Sequence, residues 1–162
     1  METEKNITEI VINNLTDLLN KGNAHASLED ALHDIPFELL GKKPGGLPYS
    51  IWQLAEHIRI SQWDIVEFSN SAEHVSPKWP DEYWPVSVSP PSQTEWEKCI
   101  EQINSDRKKM IQLLDKAGND IYQPFDYGDG QSLLKEALVL ADHNSYHTAE
   151  IIVLRRLLNN WR

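Results

Sequence analysis

The sequence predicts an all-α fold, a four-helix bundle with long crossover connections, and three observations predict it. Four segments repeat apolar residues with the period of a helix, and no run alternates apolar and polar residues as a half-buried strand does. A serine followed three residues later by a side chain that can reach back announces helix starts at "SLED", "SIWQ" and "SQTE". Two long connections then argue against simple up-down hairpins. The 162 residues are about the size of one domain, so a single helical-bundle domain over 1–162 is expected.

The first helix runs from about Glu4 to Leu19, with Ile7, Ile10, Val11, Leu15 and Leu18 or Leu19 on its apolar side. A short helix begins after Ser27, capped with help from Asp30, and ends before Pro36. The second long helix follows the loop "GKKPGGLPY", opens at the Ser50 and Gln53 capping box and continues to about Asn70. Next comes "SAEHVSPKWPDEYWPVSVSPP", whose five prolines break any helix and whose aromatic residues argue against a disordered linker. It should be ordered against the body. The third long helix opens at a second capping box, Ser92 with Glu95, carries Trp96, Ile100, Ile103, Met110 and Leu114, and stops near Gly118. After the turn "YGDGQS" the fourth runs from about Ser132 to Leu158.

Fifteen basic residues against twenty-five acidic ones leave a net charge of -10, a field that repels phosphate backbones, so no nucleic-acid partner is expected. No apolar stretch approaches the ~18 residues of a membrane span, so no membrane partner is expected either. The acidic start "METEKNITEIVINN" lacks the basic and apolar regions of a signal peptide. The single Cys99 lies in a helical apolar stripe with Trp96, Ile100 and Ile103 and offers no disulfide framework. These features together point to a cytoplasmic protein.

Chemistry concentrates in "ADHNSYHTAEI". His143 and His147 are four positions apart, which on a helix puts them one turn apart on one face, within the stripe of Val139, Leu140, Ile151 and Leu154. Imidazoles facing a bundle interior need a hydrogen-bond partner or a ligand. Semi-buried histidines bonded to a carbonyl, to Glu150 or to Asp142 are one outcome. A metal clamp is the other, and His57 in "IWQLAEHIRI" supplies a third donor beside the stripe of Ile51, Leu54, Ile58 and Ile65. Three imidazoles from two helices would give a first-row metal a nitrogen face with positions left open.

On "YSIWQLAEHIRISQWDI", "WPDEYWP" and "GDGQSLLKEALVLADHNSYHTAEIIVLRRLL" the chain resembles the DinB-like family of metalloenzymes, from Leu28 onward. The resemblance implies a four-helix bundle and a divalent transition metal, nickel or zinc, held by His57, His143 and His147. Relatives include low-molecular-weight thiol transferases and an isomerase that uses a thiol cofactor. The implied partner is a small-molecule substrate, a low-molecular-weight thiol among the candidates, and a homodimer is compatible with the fold.

The motif is H-N-S-Y-H and not H-E-x-x-H, so the glutamate base of zinc proteases is missing. No serine with a neighbouring histidine base and no catalytic cysteine is evident, so a nucleophile must arrive from outside. Glu150, Asp142 and Asp64 are candidates to orient ligands or relay protons behind the metal. Trp79, Tyr83 and Trp84 are read as packing for the long connection, with a pocket wall as the alternative. His25, His33 and His74 are read as surface residues, and the Arg155-Arg156 pair as favouring the helix dipole. The leading expectation is an enzyme, a transferase or hydrolase, that activates a thiol or water at the metal. The alternatives are a non-catalytic metal- or small-ligand-binding bundle and a structural helical dimer without metal.

Overall fold

The computed structural model describes residues 2–161 and is all-helical among them. Four long helices, α1 (Glu2–Asn20), α3 (Ile51–Asn70), α4 (Gln93–Ala117) and α5 (Leu133–Leu157), form the bundle, and a short α2 (Leu28–Leu32) closes one end. Ser27 with Asp30 and Ser50 with Gln53 make reciprocal capping boxes. At Ser92 half of the expected box forms. Its hydroxyl accepts from the Glu95 N–H, while the Glu95 carboxylate turns outward to Lys98 at 2.7 Å.

Helix directions follow from which side chains meet. Gln62 donates to the Ile103 carbonyl and Lys109 pairs with Glu67, so α4 runs alongside α3 in the same direction. The start of α3 (Ile51, Leu54) packs with the end of α5 (Ile151, Leu154) and its end (Val66) with the start of α5 (Leu133, Leu140), which makes α5 antiparallel to α3. Two parallel neighbours require a crossover, and residues 71–92 supply it by retracing α3. His74 touches Asp64, the Tyr83 carbonyl touches His57, and the Val88 carbonyl accepts from Ser50 at the helix start.

Burial on α1 selects Thr8, Ile12, Leu15 and, of Leu18 and Leu19, the second, while Ile7 and Ile10, expected inside, are exposed. The helix carries two overlapping apolar stripes of the same spacing, and packing against α4 and α5 decides which one faces the core. Val139 is likewise exposed, one position out of phase with the α5 stripe that buries Leu140, His147, Ile151 and Leu154.

The core is split in two. One apolar cluster gathers Leu40, Ile51, Leu54, Ile58, Trp96 and Cys99 with Ile151 and Leu154, and the other gathers Ile12, Leu15, Val66, Met110 and Leu114 with Leu133 and Leu140. Between them runs a belt of buried polar side chains: His57, Ser61 and Gln62 from α3, Asp106 from α4, His147 and Thr148 from α5. Cys99 packs as expected, and burial pushes its thiol well above the ordinary range.

Arg155 does more than favour a dipole. It is buried and donates to the carbonyls of Asp30, Ala31 and His33 at the end of α2 and to Asn160 beyond α5. Its fork thereby caps one helix and ties it to another. Arg155→Met should cost about 3 kcal/mol in urea denaturation, because several buried carbonyls lose their donor. Arg156→Met, at an exposed site, should stay within about 0.5 kcal/mol of the parent.

Candidate metal centre

The polar belt brings His57, His143 and His147 together. The ring centroids of His57 lie 4.9 Å from His143 and 4.7 Å from His147, and those two are 4.5 Å apart. One ring nitrogen from each falls within 4.8 Å of the others, and the Nε2 atoms of His57 and His143 are 3.0 Å apart. Helix periodicity accounts for the pair on α5, and the antiparallel crossing of α3 supplies the third ring.

Two of the three rings are oriented by what their Nδ1 touches. His57 Nδ1 donates to the Tyr83 carbonyl at 2.9 Å, and His147 Nδ1 donates to Glu150 Oε2 at 2.6 Å. Both tautomers are thereby set with the proton on Nδ1 and the lone pair on Nε2, the arrangement that acceptors behind metal-ligating histidines produce. His143 Nδ1 and Asn144 Oδ1 are buried without a hydrogen-bond partner among the described residues.

Burial keeps the cluster uncharged. Desolvation, and then the neighbouring histidines, push His143 down to about 4, and desolvation followed by His57 pushes His147 down to about 4. His57 is also lowered, chiefly by desolvation, against the opposing pull of the Tyr83 carbonyl and Glu150. At neutral pH all three imidazoles therefore present lone pairs. Two nitrogens bound to one ion at roughly 2.0–2.1 Å in a tetrahedral site stand a little over 3 Å apart, so the 3.0 Å approach of His57 and His143 fits a shared divalent metal.

A family comparison spans these residues. The chain matches the DinB superfamily over residues 23–151, a span that includes all three histidines and the whole crossover. The chain belongs to the DinB superfamily. Among curated proteins and solved structures none matches. In this DinB bundle the crossover forms one wall of the site. Trp84 lies flat on His57, with centroids 3.9 Å apart and planes 2° from parallel, and Tyr49 stacks on it at 4.0 Å. Trp84 is thus a wall residue as well as loop packing, whereas Trp79 is exposed and stands edge-on to Tyr83.

The three candidate carboxylates have different fates. Glu150 is in direct contact with His147. Asp64 stands one step further back: it accepts from the Tyr83 hydroxyl at 2.6 Å and from His74 at 2.7 Å, anchoring the loop whose carbonyl holds His57. Asp142 is exposed and acts on His143 only through space. His74, expected at the surface, is half-buried, against Asp64 and perpendicular to the Trp63 ring. His25 and His33 are exposed as expected. His25 nevertheless meets Ser145 Oγ at 3.1 Å, a serine-histidine contact that sequence separation hid. Its other ring nitrogen faces the Ala26 carbonyl at 2.8 Å, so no carboxylate backs the pair.

Glu150→Gln should weaken metal binding by roughly 10- to 100-fold, the usual effect of losing an acceptor behind a ligating histidine. Competition with a chromophoric chelator measures it. Unchanged affinity would reduce Glu150 to a bystander.

Proposed function

We propose that the protein is a metal-dependent enzyme in which His57, His143 and His147 hold a divalent transition metal, nickel or zinc, and that it acts on a small-molecule substrate as a thiol transferase or a hydrolase. The observation that carries this reading is the convergence of three neutral imidazoles, two of them with Nδ1 committed to oxygen acceptors. When bound, the ion supplies a Lewis acid that brings the pKa of a thiol or water toward neutrality. The protein's own groups do the rest. Tyr83 and Glu150 hold ligand tautomers, Trp84 shields one face of His57 from water, and Glu150 stands within reach of a proton at His147.

The chain's one thiol, Cys99, supplies no nucleophile at the site, since it is buried in the apolar cluster and held protonated. A low-molecular-weight thiol is favoured over water by the family resemblance. The test is thiol consumption with a reactive electrophile, run on metal-loaded protein, chelated protein and the His57→Ala variant. Consumption should be faster with metal than in either control. Equal rates in all three would leave hydrolysis or metal binding without turnover.

A further inference from the structure

The histidine cluster has an apolar neighbour. A groove of about 500 Å³ runs beside α5, walled by Leu47, Tyr49, Tyr146, Val153 and Leu154, with Glu150 at its edge. Three contacts join it to the candidate metal centre. The Tyr146 ring stands edge-on to His147 at 4.9 Å and Glu150 accepts from His147, while Tyr49 is the outer ring of the stack that ends on His57. The volume lies in the range of small-ligand pockets, roughly 300–1,000 Å³, and the lining is mainly apolar, with Ser145, Glu150 and the two tyrosines as its polar side chains.

The charge pattern narrows the occupant. Among the described residues Glu150 is the one carboxylate along the groove, and no lysine, arginine or histidine lines it. One Glu150 oxygen is engaged by His147, and the other makes no hydrogen bond to the described residues. The chain as a whole carries a net charge of -10. We propose that this groove binds the substrate body: a small, flat, apolar molecule whose polar head is a hydrogen-bond donor, uncharged or cationic, resting against Glu150. Rings would stack on Tyr49 or Tyr146, and a carboxylate head would meet like charge. The assignment of this molecule as substrate rests on the metal-enzyme reading; its binding does not.

Benzylamine, benzyl alcohol and benzoate share a ring and differ in the head, which makes them the probes. Titrated into full-length, metal-loaded protein, the first two should shift the methyl resonances of Val153 and Leu154, and benzoate should bind roughly tenfold more weakly or worse. Ala149→Trp, at an exposed α5 position in the groove wall, should reduce benzylamine binding by roughly tenfold or more, the equivalent of losing one good contact. Metal content should not change. Val153→Lys should reverse the order and favour benzoate. Equal binding of all three probes, or unchanged binding in Ala149→Trp, overturns the proposal. So does a wild-type dimer that Ala149→Trp converts to a monomer in sedimentation, because a second copy would then fill the groove. Wild-type protein that binds the probes but no metal would instead sink the metal-centre reading and leave the groove assignment standing.

Discussion

Alanine at His143 or at His147 is expected to strip most of the metal from the protein while leaving its helical circular-dichroism signal intact. Each imidazole is one of three converging nitrogens, and its loss leaves a two-point grip. Removing a group behind a ligand costs up to about 100-fold, so removing the ligand itself should cost more. The fold should tolerate the change because the histidines occupy the polar belt and the two apolar clusters beside it keep their contacts. Elemental analysis of untagged protein is the measurement. About one metal per chain in the wild type and almost none in the variants is the expected pattern, and full occupancy with all three histidines replaced would end the assignment.

Acidification of the chelated protein should destabilise it between about pH 6.5 and 4. Unfolded histidines titrate near 6.5, whereas His143 and His147 are held at about 4 in the folded state. Between those values the unfolded chain binds more protons. Stability is therefore full above 6.5, falls as the pH drops toward 4 and levels off below. For two displaced groups the change is on the order of several kcal/mol. Asp106, Glu136 and Glu150, whose carboxyls burial pushes up, act in the opposite sense, so the informative quantity is wild type minus the triple-alanine variant. Urea midpoints at pH 7.5 and 4.5 that move equally in both proteins would show that the histidines are not displaced. The same displacement predicts that metal is retained well below the pH of 6.5 expected from an unperturbed imidazole, since protons compete less effectively.

The helices were legible because their signals are local. Capping serines and apolar periods place α1 to α5 within a few residues, and His143 and His147 share a face by spacing alone. The choice between two stripes on α1 was not legible, because a neighbour decides it and Ile7 and Ile12 look alike in sequence. Nor could sequence separate packing from site at Trp84, whose role depends on the loop retracing α3. The Tyr83 contribution is a backbone carbonyl, which leaves no mark in residue type. Asp64 and His74 were visible as titratable residues, but their meeting depends on the path of the crossover.

That path also bears on the order in which the molecule is assembled. His57 and His143 are separated by 86 positions, with the crossover and all of α4 between them, so their encounter needs one of the longer chain closures in the fold. Local helix formation is faster than such closure. Metal would thus be captured by an already built bundle and would act mainly by slowing its opening, so that refolding rates with and without the ion should coincide while unfolding rates diverge.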